Sequence, residues 1–229
     1  MLAALGWGAL SAASLVIGAL LAVGRTWASR TVGQVLAFGA GALVSAVSFE
    51  LAQEGFDVGS AGSVAVGLAV GAFTYFGLDG LVERRASGGG ALALGAFLDG
   101  IPEQAVLGIG LATGAGVSVA LLVAIFVSNL PEAIGSATEM RASGATRAAV
   151  VRLWVGVAAV CTIATVLGYL AADAAGGEIK AMIDGFAAGA LLVMLVDSMI
   201  PDARRQAGRG AGLVTVLGFA VAAGLSNLS

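Results

Sequence analysis

Two short runs in this sequence set carboxylates beside prolines in strongly apolar surroundings. Phe97-Leu98-Asp99-Gly100-Ile101-Pro102-Glu103 is echoed by Phe126-Val127-Ser128-Asn129-Leu130-Pro131-Glu132. The chain has three prolines, and two of them hold matching places in this echo, each directly before a glutamate. A proline inside a helix cannot donate to the carbonyl four residues back. The carbonyls of Leu98 and Val127 are therefore freed. Asp99 and Glu103 are four residues apart and share one helical face, as do Ser128 and Glu132. Gly100 and Asn129 take the adjoining position. Carboxylate, hydroxyl, amide and carbonyl oxygens in this arrangement suit a divalent cation. The candidate ligands are Asp99, Glu103, Ser128, Asn129 and Glu132.

The elements that carry these residues are set by composition. Of 229 residues, 59% are hydrophobic and 11% charged. A soluble domain needs about a quarter of its residues charged to coat its surface, so the natural solvent of this chain is lipid. A chain in lipid must be helical or a closed barrel. The apolar stretches run about 20 residues without strict alternation, which favours helices. The 36 glycines let helix backbones approach closely in such a bundle. Histidine is absent and Cys161 is the single cysteine, so a disulfide framework within the chain and a zinc site of several Cys and His ligands are both excluded.

Eight hydrophobic segments can be counted, at 2–23, 33–53, 58–82, 89–112, 116–139, 148–172, 179–200 and 210–228, in one transmembrane domain covering 1–229. Short connections, among them 84–90 and 141–144, leave no room for a soluble domain. Ten of the eleven basic residues fall at odd-numbered loops; Lys180 alone is at an even one. The positive-inside rule then makes the odd loops cytoplasmic and turns both termini outward. No basic residue precedes the first span, the reverse of the order in a cleavable signal.

On this reading the two Pro-Glu runs lie inside spans four and five. An unpaired charge at the bilayer centre costs about 2.5–3.5 kcal/mol on insertion scales, and no lysine or arginine lies in these spans. A bound divalent cation, with protonation in its absence, is the simplest compensation. The alternative is that the Pro-Glu pairs only kink helices, with protonated glutamates bonded to the freed carbonyls. A second echo, Ala40-Gly41-Ala42-Leu43 with Ala188-Gly189-Ala190-Leu191, brings Glu54 onto Asp202 at the same offset. It pairs spans two and seven, which would run in opposite directions. Chance matching of Ala-Gly-rich helices competes with an inverted repeat of the kind many transporters carry.

These residues resemble the metal-binding helices of the ZIP (Zrt/Irt-like) divalent metal transporters, whose fourth and fifth spans carry His-Asn-x-Pro-Glu-type motifs. The resemblance covers the whole chain: eight spans with outward termini, a glycine-rich second span with Glu50 where a histidine is common, and a seventh span ending Asp197-Ser198-Met199-Ile200-Pro201-Asp202. It implies an all-α 3+2+3 bundle with an inverted repeat of helices 1–3 and 6–8. It also implies bridging roles for Glu103 and Glu132 in a binuclear site, Asp99 in place of the span-four histidine, and a homodimer. The sequence departs from the family where both histidines are missing, where Gly100 replaces asparagine, and where Cys161-Thr162 aligns with a Glu-Pro pair of span six. Cys161 would then stand near the site as a thiol in place of a carboxylate, though a lone buried cysteine more often serves packing.

The expectation is uptake of a divalent transition metal (zinc, iron or manganese) across the cell membrane by alternating access. The metal is the substrate; no prosthetic group, enzyme activity or nucleic-acid partner is expected. Glu50, Glu139, Cys161 and Asp197 are further pathway candidates, and Glu139 could instead pair with Arg141 or Arg147. Asp79 and Glu83, beside Arg84 and Arg85, are expected at the interface. Glu54, Asp57, Asp173, Glu178 and Asp184 are expected to form a solvated outer rim. The rival readings are a proton-coupled transporter of another small cation and a membrane metal-binding protein that transports nothing.

Overall fold

A computed structural model describes residues 1–85, 89–112 and 117–226. Within them the α-helices are α1 (Leu2–Gly24), α2 (Ser29–Ala46), α3 (Gln53–Val58), α4 (Ala61–Arg85), α5 (Gly89–Ala112), α6 (Val119–Ala142), α7 (Arg147–Asp173), α8 (Gly177–Met194), α9 (Ile200–Ala207) and α10 (Ala211–Ser226). A π-helical segment, Val47–Ala52, joins α2 to α3, and another, Leu195–Met199, joins α8 to α9. No strand occurs among the described residues. Residues 86–88 of the expected linker, the start of the fifth expected span at 116 and the end of the eighth at 227–228 lie outside the described residues. So do the side chains of Glu83 and Arg85.

Local chemistry sets the helix boundaries. The Ser118 side chain accepts from the Leu121 amide at 3.2 Å and Thr146 from the Ala149 amide at 3.2 Å, so hydroxyl caps start α6 and α7. Between them Gly144 takes a φ of 91°, a left-handed conformation that glycine adopts without steric cost.

Among the described residues, six helical runs are long and apolar enough to cross a membrane: Leu2–Gly24, Ser29–Val58, Ala61–Val82, Val119–Ala142, Arg147–Asp173 and Gly177–Ser226. That is fewer than the eight spans counted from sequence. The last run is 50 residues long because α8, the second π-helical segment, α9, a 3₁₀ turn at Gly208–Gly210 and α10 follow without a gap, and it is broken at Gly208, whose φ of 70° and ψ of −153° are not helical. Large apolar side chains point outward around the bundle. Phe73 is 77% exposed and Leu213 79%. A surface of this kind is stable against hydrocarbon rather than water.

The core is built by close backbone approach. A Cβ on Gly108 would collide with the Thr165 carbonyl, and one on Gly168 with the Ala105 carbonyl, so α5 and α7 pack nearly backbone to backbone. Gly67 and Gly71 meet the Met182 and Phe186 carbonyls in the same way, so α4 and α8 run in the same direction. The packing is paired. α8 packs on α4 as α2 packs on α10, α7 packs on α5 as α1 packs on α6, and α1 meets α7. The two π-helical segments obey the same pairing: the interval from Val47 to Leu195 equals that from Ala40 to Ala188.

Candidate functional site

Both Pro-Glu runs are helical. α5 continues through Pro102 and α6 through Pro131. Glu103, Ser128 and Asn129 are fully buried and Asp99 is 5% exposed. The Ser128 hydroxyl is 2.9 Å from Glu103 Oε1, 3.1 Å from Oε2 and 2.9 Å from the Ile125 carbonyl. A single hydroxyl hydrogen is thus shared among three acceptors, and Glu103 keeps unused acceptor capacity. Gly39 of α2 makes this contact possible, because a Cβ there would lie 2.8 Å from the Ser128 Cα.

Around this pair several polar atoms lack partners. Asn129 Oδ1 and Nδ2 and Glu132 Oε2 are buried and make no hydrogen bond. Leaving such groups unpaired costs about 1–3 kcal/mol each, more for a charged group. Glu132 lies within electrostatic reach of Asp99, Glu103 and Asp202. Among the described residues no ion pair joins a lysine or arginine to Glu103 or Glu132.

Asp99 is held differently from the sequence expectation. Its carboxylate accepts from the Tyr75 hydroxyl of α4 and, at 3.2 Å, from Ser198 of the second π-helical segment. It is thereby tied to α4 and the end of α8 and makes no bond to Glu103. Among the described residues no three His, Cys, Asp or Glu side chains stand together as a metal-holding group. The convergent donors are Glu103 with Ser128, and near them Asn129 and Glu132.

Cys161 is buried on α7 with a free thiol. Its Sγ would lie 3.0 Å from a Cβ on Gly100, and Asn129 Oδ1 would lie 3.9 Å from the same point. The missing side chain at position 100 therefore leaves the thiol and the Asn129 amide facing one small space. Cys161 is also within electrostatic reach of Glu103 and Glu132.

The other pathway candidates are separated from this centre. Glu50 sits in the first π-helical segment and accepts from Ser226 of α10. Asp197 is exposed and lines a cavity of about 730 Å³ with Phe76, Asp79, Arg84 and Pro201. Asp79, at the cavity wall, is within electrostatic reach of Asp99, so this cavity lies near the Asp99 cluster. Asp79 and Arg84 stand at its wall. Glu139 is exposed near the end of α6 and pairs with neither Arg141 nor Arg147; the ion pairs among the described residues are Lys180–Glu54 and Asp202–Arg205.

Sequence reasoning missed five residues that organise the site. Tyr75 and Ser198 hold Asp99. Gln104, beside Glu103 and fully buried, donates to the Ser11 hydroxyl at 3.0 Å and accepts from Thr165 at 2.9 Å. That chain ties α1, α5 and α7 together directly behind Glu103. A glutamine inside an apolar span was a usable signal, since a polar side chain at that depth needs partners. Lone hydroxyls in Ala-Gly-rich helices carry no such signal.

No family model and no curated protein matches this chain.

Proposed function

We propose that the chain is a transporter of divalent metal cations, and that the ion is held between α5 and α6 by Glu103 and Glu132 with Ser128 and Asn129. The observation that carries this reading is the buried set of unpaired acceptors, Glu132 Oε2 and Asn129 Oδ1, beside Glu103, with no lysine or arginine paired to these carboxylates among the described residues. A divalent cation supplies both the missing charge and the missing ligation. Carboxylate, hydroxyl and amide oxygens suit Mn²⁺ and Fe²⁺ and also accept Zn²⁺. Asp99 joins the donor set only on leaving Tyr75 and Ser198, and Cys161 adds a softer donor from α7.

In this proposal the membrane is the cell membrane and the odd loops face the cytoplasm, as the arginine distribution favours. The resemblance to ZIP transporters, the eight-span count and the inverted repeat of three-helix halves belong to the same proposal. The paired packing and the matched π-helical segments support the repeat. The Asp197-lined cavity lies toward the arginine-rich end and would serve as the route to the cytoplasm. The site opens outward and then inward as one group of helices moves against the other, and a negative interior potential favours cation uptake.

The test is uptake into proteoliposomes, with zinc, manganese, iron and small organic cations competing. The reading expects saturable uptake of a divalent metal, inhibited by other divalent metals and indifferent to organic cations. Inhibition by organic cations alone would favour the proton-coupled rival. Stoichiometric metal binding with no flux would make the protein a binding module.

A further inference from the structure

Away from Glu103 and Glu132, the carboxylate of Asp184 sets a second problem. The sequence suggests a solvated rim, yet Asp184 is fully buried and neither of its oxygens has a hydrogen-bond partner. Three of the other four expected rim residues behave differently: Asp57, Asp173 and Glu178 are exposed, while Glu54 is half-buried.

The surroundings of Asp184 are specific. It lies four residues after Lys180 on α8, so the two share a face. Lys180 Nζ binds Glu54 Oε1 of α3 at 2.6 Å, with the two side chains only 15% and 25% exposed. A Cβ on Gly55 would sit 3.5 Å from Asp184 Cβ, so the helix carrying Glu54 runs directly alongside. Glu54 and Lys180 are the charged groups within electrostatic reach of Asp184. The three residues belong to α3 and α8, whereas Glu103 and Glu132 belong to α5 and α6.

The charges in the cluster do not balance. Two carboxylates face one ammonium, and the ammonium is committed to Glu54. A buried carboxylate left without a counter-charge is strongly unfavourable. Lysine is a flexible four-carbon tether carrying a compact cation; if it swings out, two carboxylates remain, the charge that one divalent ion neutralises.

We propose that Glu54 and Asp184 form a second oxygen-donor site for a divalent cation, and that Lys180 is a tethered competitor for it. The ion binds by displacing the ammonium from Glu54 and supplying Asp184 with the ligand it lacks. The site rests on these three residues and does not require transport.

Binding of Mn²⁺ to the detergent-purified full chain tests this, because the resonance of free Mn²⁺ disappears when the ion is bound. The Glu103→Gln, Glu132→Gln double variant should still bind one ion per chain. Adding Asp184→Asn should abolish that binding. Adding Lys180→Gln instead should tighten it roughly tenfold, the equivalent of one charge-assisted hydrogen bond that the ion no longer has to displace. Loss of all binding in the double variant would overturn the proposal. So would binding indifferent to Asp184→Asn, or no tightening with Lys180→Gln; that last measurement does not depend on how well the Asp184 variant folds. A wild-type chain that binds a single ion, retained in the double variant and lost with Asp184→Asn, would uphold this site while refuting the centre at Glu103 and Glu132.

Discussion

The Ser128 hydroxyl of α6 lies within 3.1 Å of both carboxylate oxygens of Glu103 on α5, so the two Pro-Glu helices meet through one shared proton. That proton orients Glu103 while leaving it acceptor capacity for an ion. Ser128→Ala removes a hydrogen bond to a charged group, worth about 1.5–3 kcal/mol. Metal uptake by Ser128→Ala should therefore show an apparent KM raised by about tenfold. An unchanged KM would mean that Ser128 neither orients Glu103 nor ligates the ion.

Asp99 and Tyr75 make the opposite test. The Tyr75 hydroxyl engages the Asp99 carboxylate and competes with any ion for it. Tyr75→Phe should lower the apparent KM a few-fold by releasing Asp99, and Asp99→Asn should raise it. If neither substitution moves the KM, Asp99 lies outside the donor set and belongs to the contact between α4, α5 and the end of α8.

The chain Ser11–Gln104–Thr165 is expected to be structural. Gln104→Leu keeps the volume but removes the partner of the buried Ser11 hydroxyl and leaves Thr165 only the Cys161 carbonyl at 3.4 Å. It should destabilise the detergent-solubilised protein by about 1–3 kcal/mol, read as a lower thermal unfolding midpoint. An unaltered midpoint would show that α1 and α7 do not need this link to hold α5.

Glycine substitutions should separate packing from composition. Gly108→Val drives a side chain into the Thr165 carbonyl and should prevent recovery of monodisperse protein, because α5 and α7 cannot close. Gly77→Val meets nothing within 4 Å and should express as the wild type does. Equal behaviour of the two variants would refute the close approach of α5 and α7.

Much of this arrangement was legible in the residues, for identifiable reasons. The absence of a charged coat dictated lipid-facing helices, and the two Pro-Glu runs stood out because ionisable residues are rare in apolar spans. The end of the seventh expected span was not legible: helix persists through Asp202, Arg204 and Arg205 to Ala207, and hydropathy cannot tell a polar helical turn from a loop. Both π-helical segments were equally invisible, since hydrogen-bond register leaves no compositional mark. The partners of Asp99 escaped because Tyr75 and Ser198 are far from it in sequence and ordinary in type. Asp184 shows the limit of reading charge by position. Near a predicted span end it reads as solvated, whereas the packing of α3 against α8 buries it.

The central claim is that Glu103 and Glu132 carry a divalent ion across the membrane. Its most direct test is initial-rate uptake of Zn²⁺ and Mn²⁺ into proteoliposomes containing equal amounts of wild type, Glu103→Gln or Glu132→Gln. Gln keeps the shape of each side chain and removes its charge. The account predicts saturable uptake by the wild type and a loss of about 10²-fold or more in each variant, the equivalent of about 2.7 kcal/mol. Wild-type rates in both variants would contradict it.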